Sequence, residues 1–287
     1  MVYDAAPADD PPGRSCRYVI KQARPEHQTD PVALDALRRE ALVGGAVTHP
    51  HLVPVLASQT ERSPRYVVMP RLEGRSIGKL LEVGWRPTVL EALWVARQAA
   101  EALGALHTAG WLHGDVKPAN LLRSAEGHIT LLDLGFACRL DRTAQGDHPA
   151  VPGTARYLAP EWQVRSEPIR PQRDLYSLGV VLFELLAGEP PFLADDATGL
   201  ARAHREVVPD DLRTVREDIP PSAAELVRQL LAKQPLRRPA TAEEVIGRLV
   251  RLEIAHFDLR WPGDGPPAPT AERPSGSVAG HTGAAAR

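Results

Sequence analysis

A chain of 287 residues with 43% apolar and 24% charged residues has ordinary globular composition and enough apolar side chain for a sizeable core. Its formal net charge of −2 and pI near 6.6 give no broad basic field, which excludes nucleic acid or an anionic membrane surface as the expected partner. Cys16 and Cys138 are the only cysteines, too isolated for a disulfide framework or thiolate metal site, so a reduced, cytoplasmic compartment is expected. The most apolar stretch, Leu178 to Ala187, is short and holds Glu184, well below the roughly 18 apolar residues of a membrane span. Asp4, Asp9 and Asp10 are equally unlike a signal peptide.

Residues 4–15, rich in Pro, Asp, Ala and Gly, precede the β-branched and aromatic run Tyr18-Val19-Ile20, which predicts a loop and then a strand. Apolar positions at helical spacing follow from Pro31 to about Val43, with Asp30 as N-cap, and Gly44-Gly45 weakens any continuation. Tyr66-Val67-Val68-Met69 reads as a strand ending at Pro70, with a connector through Glu73-Gly74. Long helices then take over. Thr88 and Glu91 are spaced for a capping box that opens a helix running to about Thr108, and Gly110 lies just past it. Short strands are predicted around Ala119–Leu122 and His128–Leu132, a buried helix over Asp174–Ala187, and closing helices near 221–233 and 241–256. From Pro262 onward, Gly, Pro, Ala, Ser and Thr predict a disordered tail.

The central signal is His113-Gly-Asp115-Val-Lys117-Pro-Ala-Asn120, followed after a strand by Asp133-Leu-Gly135. A single loop Asp or Asn more often makes turn hydrogen bonds than catalyses anything. The joint pattern is different, because phosphoryl transfer needs a carboxylate to orient the attacking hydroxyl, a cation near the phosphoryl group, and oxygen ligands for Mg²⁺. Asp115, Lys117, Asn120 and Asp133 supply these in order.

On these residues the chain resembles the protein kinase family from about residue 2 to residue 256. The resemblance implies an α+β bilobal fold with a small β-rich N-lobe over 1–70, a hinge at 71–74, a helical C-lobe over 75–258 and a tail from 259. It implies that Asp115 takes the hydroxyl proton while Asn120 and Asp133 ligate Mg²⁺ or Mn²⁺. Tyr18-Val-Ile-Lys21 looks like the strand whose lysine meets the ATP phosphates, with Glu40 as its helix partner. Met69 looks like the gatekeeper, backbone groups of Pro70 and Leu72 would read adenine, and Val2, Val19 and Leu122 would enclose the ring. Gly153-Thr154-Ala-Arg-Tyr157-Leu-Ala159-Pro160-Glu161 resembles the end of an activation segment, with Thr154 bonding Asp115, Glu161 pairing with Arg238, and Asp174 capping the catalytic-loop backbone.

The implied function is serine/threonine protein kinase, since Lys117-Pro118 is the form found in that branch. Two other readings stand beside it: a pseudokinase adaptor that binds partners without phosphotransfer, and a small-molecule kinase of the aminoglycoside or choline type, which shares His-Gly-Asp. Lys117 and Ala159-Pro160-Glu161 favour a protein substrate. The family's glycine-rich loop is absent, and Met1-Val2-Tyr3-Asp4-Ala5 resembles the strand after it. The chain is therefore expected to begin one strand late, to work without that flap, or to be inactive. Gly114 stands where regulated members carry arginine, so loop phosphorylation at Thr143 is not expected to be the main on-switch. The oligomeric state is left open.

Overall fold

The computed structural model describes residues 1–7, 17–24, 27, 29–140, 155–163 and 167–260. The N-terminal part is an antiparallel sheet of β1 (Val2–Ala5), β2 (Tyr18–Gln22), β3 (Ala57–Gln59) and β4 (Tyr66–Pro70), in the order β1-β2-β4-β3. Register sets Val2 and Val67 opposite Lys21, and Asp4 and Met69 opposite Val19, so one face of the sheet carries all six. Helix α1 (Pro31–Ala46) packs on this sheet, with the Asp30 carboxylate accepting from Val32 N at its start. It does not weaken at Gly44-Gly45 but runs through both glycines, because Gly44 is buried in a tertiary contact that outweighs its poor helix propensity.

Beyond Pro70 come β5 (Arg75–Ser76), α2 (Ile77–Glu82), α3 (Val89–Thr108) and β6 (Trp111–Leu112). Thr88 and Glu91 close a reciprocal capping box at the head of α3. A 3-10 turn at Pro118–Asn120, where a strand start was predicted, precedes β7 (Leu121–Arg123) and β8 (Ile129–Leu131), and β9 (Cys138–Arg139) returns to pair with β6. The remaining helices are α4 (Gln172–Ala187), α5 (Ala197–Glu206), α6 (Leu212–Val215), α7 (Pro221–Leu230) and α8 (Ala242–Arg260). From Gln172 to Leu186 every residue of α4 is buried, which fits the apolar run from Leu178 to Phe183 within it.

Two cores result. A large one joins α3, α4, α7 and α8, and a small one holds Leu37, Val53, Val67 and Met69 beneath the N-terminal sheet. Strand and helix are thus segregated into an α+β arrangement. No helix among the described residues is long and apolar enough to cross a membrane.

Candidate active site

Three local structures bring the singled-out side chains together. Strand β2 carries Lys21, whose Nζ lies 2.8 Å from Glu40 Oε2 of α1 and 2.9 Å from Asp133 Oδ1. Burial alone would lower the Lys21 ammonium, but the Glu40 and Asp133 charges together raise it above the ordinary lysine range. Burial raises the Glu40 carboxyl, with Lys21 opposing it. Burial likewise works to raise Asp133, yet the Lys21 charge and the Gly135 N–H bring it below the usual aspartate range. Asp133 is the one non-glycine residue described with positive φ, at 66°, a conformation aspartate tolerates better than most residues and one that turns its side chain back toward Lys21.

The loop after β6 carries the second group. Asp115 is buried, and its Oδ2 lies 2.6 Å from Lys117 Nζ. The Asn120 side-chain amide donates to Asp115 O at 2.8 Å and to Asp115 Oδ2 at 2.9 Å. Asn120 is tied to the strand before Asp133, since its carbonyl accepts from Leu132 N at 2.8 Å. Asn120 and Asp133 are therefore neighbours across the β7–β8 hairpin.

The third structure anchors the loop from below. Asp174, in the first turn of α4, accepts from His113 N at 2.8 Å and Gly114 N at 2.9 Å, and lies 2.8 Å from His107 Nε2. Gly114 needs this support because its φ is 82° and a Cβ there would sit 2.6 Å from Phe136 O. The His113 ring bridges Leu132 O at 3.1 Å and Asp115 N at 3.2 Å, coupling the two loops. Further out, Arg238 forks onto Glu161 at 2.6 and 2.8 Å, both groups buried, and also donates to the carbonyls of Gln172, Ala232 and Lys233.

Val2 and Val19 share the Lys21 face of the sheet, with Val2 64% exposed. Met69 is buried at the end of β4, Pro70 follows opposite Tyr18, and Leu72 packs on the small core. Leu122 is half-buried on β7 between Ser76 and Thr130. Thr154 and Thr143 lie outside the described residues, as do Cys16 and 261–287 of the expected tail. Sequence reasoning missed His107, which no local motif marks because its partner Asp174 lies 67 positions away. It also missed a groove of about 470 Å³ beside the loop, lined by Lys117, Ala119, Gly78, Arg86 and Tyr157 among others.

For a metal ion, the available donors are the Asn120 amide oxygen and the Asp133 carboxylate, hard oxygens that suit Mg²⁺ or Mn²⁺. Among the described residues no group of three or more His, Cys, Asp or Glu could hold a metal by itself. Two protein oxygens fit an ion that takes its remaining ligands from phosphates and water rather than from a protein cage.

A protein kinase domain family model matches residues 12–248. The chain is 35% identical over 248 residues to the serine/threonine-protein kinase PknB of Mycobacterium leprae, covering 81% of this chain and 38% of that protein. It is 33% identical over 250 residues to a probable PknB of Corynebacterium glutamicum, covering 83% and 38%. A probable serine/threonine-protein kinase of Clostridium perfringens is 30% identical over 239 residues, covering 83% and 35%. The chain thus spans well under half the length of these curated relatives.

Proposed function

Because the chain belongs to the protein kinase domain family, we propose that it transfers the γ-phosphoryl group of ATP to a serine or threonine hydroxyl of a protein substrate. The observation that carries this reading is Lys21 held between Glu40 and Asp133, opposite a loop where Asp115 holds both Lys117 and Asn120. A phosphoryl-transfer site needs little covalent chemistry, only cations and acceptors fixed in place.

In this reading Lys21 neutralises nucleotide phosphate charge, and Glu40 keeps its ammonium aimed. Asp115 orients the substrate hydroxyl and takes its proton, while Lys117 stabilises charge on the group in transfer. Asn120 and Asp133 would hold the divalent ion, which when bound supplies neutralisation of phosphate charge. The adenine slot is formed by Val2, Val19 and Leu122, with backbone groups of Pro70 and Leu72 reading its edge beside Met69. Thr154 would complete the acceptor side by bonding Asp115. A cytoplasmic setting is supported by the sparse cysteines, Cys16 and Cys138 being the only two in the sequence.

The test is Asp115→Asn with radiolabelled ATP, offered a basic protein and, separately, an aminoglycoside. Label should pass to the protein in the parent and not in the variant, while nucleotide-dependent thermal stabilisation persists in both. Stabilisation without any transfer supports an adaptor instead, and label on the aminoglycoside supports a small-molecule kinase.

A further inference from the structure

Arginine is rarely buried without a carboxylate to meet it, yet Arg173, in the first turn of α4, is only 1% exposed. Its guanidinium carbon lies 4.5 Å from the centre of the Trp162 ring, and Nη2 donates to Glu167 O at 3.1 Å. Nε and Nη1 are buried and meet no acceptor. The carboxylates nearest in charge to it are committed elsewhere. Both oxygens of Glu161 are forked by Arg238, and Asp174 serves His113 N, Gly114 N and His107. Glu167 meets Arg173 through its carbonyl and is itself an exposed residue.

Other cations sharpen the imbalance. Arg238 lies 4.6 Å from the centre of the Tyr176 ring, and Lys233, whose carbonyl accepts from Arg238, holds its Nζ 4.1 Å from the centre of the Phe192 ring. Lys233 Nζ is also buried without a hydrogen-bond partner. Arg173, Arg238 and Lys233 thus rest on aromatic faces about a single committed carboxylate, Glu161. A ring face offsets only part of what burying a cation costs. Burial accordingly pulls the Arg173 guanidinium below the ordinary arginine range, although Glu161 and the other nearby charges oppose it. The backbone adds to the same field. Helix α4 is 16 residues long, its N-cap is Pro171, and no side chain caps it. Since Nη2 turns back to Glu167, upstream of the helix, the guanidinium lies at the positive end of the α4 dipole.

We propose that Arg173, at the head of α4, anchors an oxyanion site that takes a phosphate group, either the free ion or an ester. The unused N–H groups on Nε and Nη1 project from a rigid planar fork in different directions, which suits an anion with several oxygens better than a spherical halide. The site lies apart from Lys21, Asn120 and Asp133, and it does not depend on phosphoryl transfer. Occupied, it would pair the buried charge and tie the segment ending in Trp162 to the helix that carries Asp174.

The experiment follows thermal unfolding of the full chain at neutral pH, without nucleotide, in EDTA, at an ionic strength held constant with chloride. Inorganic phosphate and, separately, O-phosphothreonine are titrated into the parent, Arg173→Met, Arg173→Lys and Lys21→Met. Lys21→Met removes the cation assigned above to nucleotide phosphate, so a response that survives it arises elsewhere. Phosphate should raise the parent Tm saturably, Arg173→Met should weaken its apparent affinity about tenfold or more, and Lys21→Met should change it less than about threefold. Arg173→Lys keeps the charge but loses the planar fork, and should weaken it about threefold or more. Without phosphate, Arg173→Met should melt near or above the parent, because an apolar side chain replaces an unpaired buried cation. A fall of more than about 4 °C, or failure to fold, shows that Arg173 is already satisfied and overturns the inference. So does parental phosphate affinity in either Arg173 variant, a response lost in Lys21→Met, or a parent that gains no more from phosphate than from chloride. Tighter binding of O-phosphothreonine supports the site as a receptor for a phosphate ester, and tighter binding of inorganic phosphate supports it as a site for the free ion.

Discussion

Replacing Asp174 by asparagine isolates the support beneath the catalytic loop. Asp174 Oδ2 faces His113 N and His107 Nε2, each at 2.8 Å, and Oδ1 accepts from Gly114 N at 2.9 Å, with 1% of the residue exposed. Asparagine keeps the shape but offers one oxygen. Even in its better orientation, with oxygen toward His113 and His107, an NH₂ donor faces the Gly114 N–H. The least cost is one charge-assisted hydrogen bond together with a buried unsatisfied donor, about 2–4 kcal/mol. Urea unfolding with the m-value checked should read that loss as a lower midpoint, and kcat of the folded fraction should fall because Asp115 is the next residue after Gly114. The acid limb carries a second signature. Burial would raise the Asp174 carboxyl, but the His107 hydrogen bond and the charges of both histidines hold it below the ordinary range. A depressed folded value means its contribution is complete above the ordinary carboxylate range and is lost as pH falls through the folded value. The asparagine variant should therefore lose less stability on acidification than the parent. A midpoint change worth under about 0.5 kcal/mol, or identical acid limbs, would refute this reasoning.

Gly114→Arg installs the residue of regulated relatives at φ 82° against Phe136 O, so it should destabilise the chain by about 1–3 kcal/mol in urea and not raise activity. Lys233, with burial as the main cause and Arg238 adding to it, is pushed down to about 8, so its contribution is present above the ordinary lysine range and lost as pH falls through about 8. Thermal stability should rise between pH 8 and 10 in the parent relative to Lys233→Met, and parallel curves would contradict it. Thr143→Ala should retain most activity; a fall in kcat/KM of tenfold or more, about 1.4 kcal/mol of transition-state stabilisation, would show the loop to be the switch after all.

The site was legible where chemistry demands particular residue types at fixed spacing. Asp115, Lys117 and Asn120 are separated by two and three positions, and one loop brings them within hydrogen-bonding reach. Lys21, Glu40 and Asp133 could be grouped only through the family resemblance, since 112 positions separate the lysine from the aspartate. The α3 start was legible because a capping box is local chemistry. The end of α1 was not, because Gly44-Gly45 is a local stop signal that tertiary contact with Val55 overrides. Short helices α2 and α6 likewise escaped, having too few turns to show a period. His107 and Gln98, whose side chain accepts from Ile129 N at 2.9 Å, act on partners remote in sequence and leave no local trace.

The inequality of the two cores has a consequence for how the molecule comes apart. The cluster beneath the N-terminal sheet has four buried members among the described residues, whereas the helical core spans α3, α4, α7 and α8. Amide protection scales with the apolar surface that must be exposed to free a hydrogen bond, so opening of the sheet lies lower in free energy than global unfolding. Native-state exchange should show amides of β2 and β4 exchanging ahead of those in α3 and α4. The partly opened species loses the Lys21–Glu40 clasp while His113, Asp115 and Asn120 stay braced on Asp174. Its nucleotide half melts before its acceptor half. Denaturant far below the global midpoint should therefore erase phosphotransfer while leaving the helical circular dichroism signal nearly whole.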